Sequence, residues 1–260
     1  MSRGSRAEIG VDPADGLLRA GESGLALTWM DARIDDWVVS PRSGKAVEVN
    51  ALWYNALRLI SRWSIDLAYP SAPFVELSDL LRRSFARRFW YEKGGYLYDV
   101  VDGENGDDAS LRPNQVIAIA LPHALLPREQ ALHVLETVER KLLTPVGLRT
   151  LSPDDPRFIP RYQGDRRQRD AAYHMGTVWP WLLGPYADAC LRLRCDAAVG
   201  RLLLTFQHNL LDAGLGSISE IFDAVKPHTP RGGITQAWSV AEVLRIWRKA
   251  KQLKRSRPSP

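Results

Sequence analysis

Acidic and aromatic side chains alternate in one stretch of the chain, residues 27–57, which reads LTWMDARIDDWVVSPRSGKAVEVNALWYNAL. Three acids, Asp31, Asp35 and Asp36, lie between two tryptophans, and Arg42, Glu48 and Asn50 follow them. A solvated turn would contain the acids without the tryptophans, and a core helix would contain the tryptophans without the acids. The mixture predicts a site for a ligand that is polar and also presents flat apolar faces.

Four later segments have the same composition: LRPNQ (111–115), YHMGTVWPW (173–181), SISEIFD (217–223) and GGITQAWS (232–239). Each places an amide, a carboxylate or an imidazole beside an indole or a proline turn. Sugar hydroxyls hydrogen-bond in pairs to Asp, Asn, Gln and Arg, while the C–H faces of a sugar stack on Trp. The residues therefore indicate a carbohydrate ligand.

Helices must position these segments, because apolar residues recur at three- and four-residue spacing along most of the chain. No run alternates as a strand would, so the sequence predicts an all-α fold of about seven helices. Long polar connections at 101–110 and 150–176 are typical of functional loops. The predicted helices span 46–63, 74–90, 112–125, 127–143, 178–193, 198–214 and 235–251.

Composition excludes several classes of protein. No apolar run reaches the roughly 18 residues of a membrane span, and the first residues lack the apolar core of a secretory signal, so we expect a cytoplasmic protein without membrane contact. Cys190 and Cys195 fit neither a disulfide framework nor metal-ligand spacing, so we expect free thiols and no metal. The formal charge of +5 does not indicate nucleic-acid binding, because the tail from Arg248 holds six basic residues and no acid.

The motifs TWMDARIDDW, LRPNQ, YHMGTVWPWLLGPY, SEIFDA and QAWSVAEVLR resemble, in this order, the amylo-α-1,6-glucosidase domain of glycogen debranching enzymes. The resemblance implies an (α/α)6 toroid of helical hairpins, here incomplete with about seven of twelve helices. We therefore expect an N-terminal extension (1–14), a partial glucosidase domain (15–248) and a basic disordered tail (249–260). One departure is Met175, where the family usually has Gln.

The resemblance further implies inverting hydrolysis of α-1,6-glucosidic branch stubs in glycogen or limit dextrin, with release of glucose and no cofactor. Inversion needs a protonated carboxyl group and an ionised carboxylate about 6.5 to 9.5 Å apart. The family's motifs place the acid at Asp31 and the base at Glu220. The residues expected to bind the α-glucan are Trp29, Asp36, Arg42, Glu48, Asn50, Trp53, Arg112, Asn114, Gln115, His174, Thr177, Trp179, Gln236 and Trp238.

Each position also has an ordinary structural interpretation. Asp31 taken alone could be a turn residue, and Ser217 with Glu220 could form a helix capping box. Glu48 could simply favour the first turn of a helix. For the whole chain the alternative is a non-catalytic remnant or accessory carbohydrate-binding subunit. The small number of helices also predicts a complementing N-terminal polypeptide or self-association.

Overall fold

A computed structural model of the protein describes residues 8–22, 24–25, 27–193, 199, 203, 206, 210–211 and 213–255. The chain forms two compact units, Met1–Val134 and Leu135–Pro260. The boundary between them falls inside one helix, α4 (Arg128–Lys141).

The first unit contains helices α1 (Val47–Asp66), α2 (Ala72–Phe89) and α3 (Gln115–Ala120). On α2 the spacing of Leu81, Phe85 and Phe89 puts all three on one helical face. All three are fully buried, and the rings of Phe85 and Phe89 stack with their centroids 4.4 Å apart. The helices predicted at 46–63 and 74–90 are confirmed, whereas the one predicted at 112–125 is shortened to α3.

Short strands accompany these helices. They form hairpins β1–β2, β3–β4 and β6–β7 and a three-stranded sheet in the order β5-β8-β9. The strands are β1 (Gly10–Val11), β2 (Leu18–Arg19), β3 (Arg33–Ile34), β4 (Trp37–Val38), β5 (Lys45–Ala46), β6 (Trp90–Tyr91), β7 (Tyr96–Leu97), β8 (Val100–Gly103) and β9 (Gly106–Asp108).

The second unit contains the end of α4, then α5 (Arg166–Ala172), a 3-10 turn (Pro180–Leu182), α6 (Leu183–Leu193) and α7 (Ala237–Arg255). An antiparallel sheet joins five short strands in sequence order. These are β10 (Leu143–Thr144), β11 (Gly147–Arg149), β12 (Val178–Trp179), β13 (Ile221–Phe222) and β14 (Pro230–Arg231).

The prediction of an all-α toroid was wrong, because the chain is a mixed structure with helices and several small sheets. The physical reason is length. The strands have only two to four residues, which is too short for an alternating pattern to register in the sequence. The polar stretch 101–110 is largely the β8–β9 hairpin, and the segment predicted as a helix at 178–193 begins with β12.

The remaining helix predictions concern three segments. Those at 127–143 and 235–251 are confirmed by α4 and α7. The helix predicted at 198–214 falls mostly outside the described residues. Helix α7 continues to Arg255, so the basic tail that was expected to begin at 249 starts within a helix.

Ion pairs attach α7 to α6. Asp188 accepts from Arg245 at 2.8 Å and from Lys249 at 2.7 Å. Among the described helices, none combines the length and the hydrophobicity that a membrane crossing requires.

Candidate active site

In the first unit, the segment around Asp31 lies just before β3 and is anchored by the two residues that precede the acid. Met30 is fully buried and Trp29 is half-buried, while Asp31 itself is exposed. Trp29 and Met30 flank the acid in the sequence but do not shield the Asp31 carboxyl group from water. The segment holds the backbone of Asp31 and leaves its side chain accessible.

Asn114 is the anchor point for this segment. The indole N–H of Trp29 donates to Asn114 Oδ1 at 2.7 Å, and the Asn114 amide nitrogen lies 3.6 Å from the sulfur of Met30. The same nitrogen donates to Asp99 Oδ1 at 2.7 Å. Asn114 therefore connects the residues before Asp31 to a buried charged cluster.

That cluster is built around Arg42, which is buried together with Glu48 and Asp99. Arg42 Nε donates to Asp99 Oδ2 at 2.7 Å, and its Nη2 donates to Glu48 Oε2 at 2.6 Å. Burial by itself lowers the pKa of Arg42, but Asp99 and Glu48 outweigh burial and raise it above its ordinary value. Arg42 thus bonds to both Glu48 and Asp99, and all three side chains are buried.

Three further residues of the predicted set also form hydrogen bonds with the protein's own backbone. Asn50 is buried and bonds both the backbone N–H and the carbonyl of Leu18, at 2.7 and 3.0 Å. Gln115 is buried and accepts from the Leu97 N–H at 3.1 Å. The indole of Trp53 donates to the Gly16 carbonyl at 3.3 Å.

Two more lie at opposite extremes of burial. Arg112 is buried, and its Nε is 3.8 Å from Asp99 Oδ2. Asp36 lies in the exposed turn between β3 and β4, 3.5 Å from Arg33. Asp36 is therefore accessible, as a ligand contact requires.

In the second unit, Glu220 precedes β13 and is surrounded by hydrogen-bond donors. Its Oε1 accepts from the Tyr173 hydroxyl at 2.5 Å and from the Gln236 amide at 3.1 Å, and its Oε2 accepts from the Gly233 N–H at 2.8 Å. Glu220 is thus a half-buried side chain whose carboxyl group is fixed in direction by donors to both of its oxygens.

The local backbone explains how Glu220 acquires these donors. The β13–β14 hairpin returns the chain so that the Glu220 N–H also donates to the Gly233 carbonyl at 2.9 Å. Gly232 has φ +67° and packs so closely that a Cβ there would lie 2.3 Å from Glu220 Oε2. This geometry excludes the capping-box interpretation of Ser217 and Glu220, because Glu220 directly precedes a strand and residues 213–229 contain no helix.

Aromatic rings surround the Tyr173 donor. The ring of Tyr173 lies 5.0 Å from Trp179 in an edge arrangement and 4.9 Å from His174. Trp238 packs edge-on against Trp179 at 5.7 Å and stacks on Trp181 at 5.2 Å. His174 and Trp179 are buried, whereas Trp238 is 37% exposed.

Backbone contacts fix the position of Tyr173 itself. The Thr177 hydroxyl donates to the Tyr173 carbonyl, and the indole N–H of Trp179 donates to the same oxygen at 3.1 Å. Thr177 and Trp179 were both predicted to bind substrate. In the structure they hold the backbone of Tyr173, whose hydroxyl donates to Glu220. Met175 contributes its carbonyl to the Ile159 N–H at 2.7 Å.

Sequence reasoning missed Tyr173 and Asp99 as members of these clusters. Tyr173 is the first residue of the YHMGTVWPW segment, and Asp99 is the last residue of YLYD. A tyrosine in an aromatic run is typical of a core residue, so the sequence alone does not identify its hydroxyl as a donor. Within the described residues, no group of three or more His, Cys, Asp or Glu side chains is arranged to hold a metal ion.

Comparison with known sequences adds to this geometry. The sequence pattern of the family described as amylo-alpha-1,6-glucosidase matches residues 1–245. The glycogen debranching enzyme of Saccharomyces cerevisiae is 27% identical over 229 residues, which cover 72% of this chain and 15% of that enzyme. The chain thus spans only a small part of the length of this relative.

Solved structures show where the fold recurs. A GH63 mannosylglycerate hydrolase from Thermus thermophilus superposes with a TM-score of 0.58 at 21% identity, covering 78% of this chain and 45% of that one. The neutral trehalase of Saccharomyces cerevisiae gives a TM-score of 0.61 at 14% identity, covering 80% and 39%. These likenesses show a shared fold. Because the family pattern extends over nearly its whole length, the chain belongs to the amylo-α-1,6-glucosidase family of glycoside hydrolases.

Proposed function

We propose that the chain hydrolyses α-1,6-linked glucose stubs of glycogen or limit dextrin with inversion, releasing glucose. The observation that carries this proposal is the environment of Glu220, whose two oxygens accept from Tyr173, Gln236 and Gly233. A carboxylate that must take a proton from water has to be fixed in direction, and these donors supply that condition. Family membership supports the choice of a glucosidic bond.

In the proposed reaction Asp31 is the general acid. Its proton passes to the glycosidic oxygen as the bond from that oxygen to C1 breaks. A water molecule attacks C1 from the opposite face of the sugar, and Glu220 accepts the proton that this water loses. Asp31 then regains a proton and Glu220 loses one through solvent. The exposure of Asp31 supports its access to a bulky leaving chain.

The stereochemistry gives a direct test. Proton NMR of a limit dextrin treated with the full chain should show β-glucose first, followed by mutarotation to the α anomer. Initial appearance of α-glucose would indicate retention and would overturn the proposed roles of both carboxyl groups.

The roles are separated by two variants. Asp31→Asn and Glu220→Gln should each lower kcat on limit dextrin by about 10²- to 10⁴-fold, because each removes one proton transfer. With α-glucosyl fluoride, whose leaving group needs little protonation, activity should return in part to the Asp31 variant alone. Asp35→Asn, at an exposed turn residue with φ +53°, is the matched control and should keep full activity. Equal return of activity in both variants would contradict the assignment.

The non-catalytic alternative is distinguished by measuring binding separately from turnover. Affinity electrophoresis in gels containing glycogen reports retention of the chain by α-glucan. Retention without glucose release from limit dextrin would favour an accessory carbohydrate-binding role over the proposed hydrolysis.

A further inference from the structure

A second carboxylate, Asp223, lies three residues after Glu220 and is completely buried. Its Oδ1 accepts from the backbone N–H of Tyr162 at 2.9 Å, and its Oδ2 accepts from Arg231 Nη2 at 3.0 Å. Arg161 adds a charge at 3.8 Å. A buried carboxylate is costly unless it is paired, and Asp223 has partners in two separate segments of the unit.

The first segment is the return strand of the hairpin. Arg231 lies in β14, where it is paired in register with Ile221 of β13. The two residues that follow are Gly232 and Gly233, and the Gly233 N–H is one of the donors to Glu220. The ion pair between Asp223 and Arg231 therefore ties together the two strands that aim the Gly233 N–H at the Glu220 carboxylate.

The second segment leads to Tyr173. Asp223 fixes the backbone of Tyr162, and the Tyr162 ring packs against the Tyr173 ring with centroids 5.8 Å apart. The neighbouring Ala224 N–H donates to the Pro160 carbonyl at 2.9 Å, which attaches the same segment to the end of β13. Tyr173 then donates its hydroxyl to Glu220.

We propose that Asp223 is a positioning residue for Glu220, acting through Arg231 on one donor and through Tyr162 on another. The inference rests on the proposed function of Glu220 as the base. Asp223 itself does not touch the reacting atoms. The charge of Asp223 is required because the Arg231 side chain is 33% exposed, so water competes with Asp223 for the guanidinium group.

The variant Asp223→Asn tests this role, because Asn keeps an oxygen for the Tyr162 N–H and loses the ion pair with Arg231. We expect kcat on limit dextrin to fall on the order of 10- to 100-fold with KM unchanged, as expected when a catalytic group is displaced. In a Glu220→Gln background the same change should lower the residual activity no further.

Asp188→Asn is the matched control, since Asp188 also has two basic partners in the second unit, but it lies in α6 and pairs with Arg245 and Lys249 of α7. It should lower the melting temperature and leave kcat unchanged. If Asp223→Asn behaves in the same way, Asp223 is only a structural residue and the inference is overturned. Full activity of Glu220→Gln would instead overturn the proposed function.

A measurement independent of turnover completes the test. In protein labelled at the ζ carbon of its eight tyrosines, the signal lost in Tyr173→Phe identifies the Tyr173 ring. This signal should shift in Asp223→Asn in the same direction as in Glu220→Gln, and should stay in place in Asp188→Asn. An unmoved signal in Asp223→Asn would show that Asp223 does not act on the donor to Glu220.

Discussion

At the scale of single residues, the two proposed catalytic carboxyl groups are held in different ways. Glu220 receives hydrogen bonds on both oxygens, so its own direction is fixed. Asp31 is positioned through its neighbours, because Trp29 and Met30 contact Asn114 while the acid remains exposed. Fixing the base and leaving the acid exposed suits a leaving group that varies in size.

Tyr173 provides the shortest of the three contacts to Glu220, at 2.5 Å. Tyr173→Phe removes the hydroxyl and keeps the ring that packs on Trp179. We expect kcat on limit dextrin to fall about 10-fold or more, since a hydrogen bond to a charged group contributes about 1.5–3 kcal/mol. Tyr162→Phe, which keeps a ring in the same cluster and leaves all three donors to Glu220 in place, should change kcat little.

At the scale of secondary structure elements, Lys45 of β5 joins the first hairpin to the three-stranded sheet. Its Nζ contacts Asp12 at 2.8 Å, Asp15 at 2.7 Å and Asp102 at 2.8 Å. The hydrogen bond from Lys45 lowers the pKa of Asp12. Burial alone would raise the pKa of Asp102, but Lys45 and Arg88 outweigh it and the pKa falls.

These directions fix how stability depends on pH. Carboxyl groups with a lowered folded-state pKa contribute fully above their unfolded value, near 3.8, and lose that contribution as the pH falls through the folded-state value. The free energy of unfolding should therefore decrease below about pH 4. Urea unfolding followed by circular dichroism between pH 3 and 7 measures it.

Lys45→Met should reverse the sign of this dependence of the free energy of unfolding on pH. At pH 7 it should destabilise the protein by about 1–3 kcal/mol, less than a fully buried pair, since Asp12 and Asp102 are one-third exposed. On acidification to pH 4 the variant should gain stability, because protonation relieves repulsion among the three carboxylates. A variant that still lost stability in parallel with the parent protein would show that another group controls the acid transition.

The elements also show how far the sequence could predict the structure. Helices α1, α2, α4 and α7 were found because their apolar periodicity extends over several turns. The strands were missed because two paired residues carry no period, and some of them pair with partners distant in sequence, as Val178 does with Phe222. The candidate site residues were chosen by residue type, and the structure adds that two of them, Arg42 and Glu48, pair with each other inside the protein.

At the scale of the whole molecule, an exposed apolar surface lies along α1 and the turn after it. Its members are Leu52, Leu59, Trp63, Ile65, Leu67 and Tyr69, with exposures of 40 to 69%. Exposed apolar patches of several hundred Å² are typical of interaction sites in water. We therefore expect the chain to associate with itself at high concentration.

Light scattering coupled to size-exclusion chromatography checks this expectation. Trp63→Ser should lower the apparent mass at a given concentration, because it removes the largest exposed ring of the surface. Trp247→Ser is the matched control, since Trp247 is similarly exposed at 42% but already carries the Lys251 ammonium over its ring at 3.8 Å. A parent chain that remains monomeric up to millimolar concentration would contradict the prediction.

The donors to Glu220 have a consequence for the synthesis of the chain. Gly233 and Gln236 are encoded after Asp31, Tyr173 and Glu220, and Gln236 immediately precedes α7. A ribosome reaches them only when Asp31, Tyr173 and Glu220 have already been made. A chain that stops before residue 233 therefore contains both proposed catalytic carboxyl groups while Glu220 still lacks two of its three donors. Such incomplete products contain both proposed catalytic residues without the hydrogen bonds that would position Glu220.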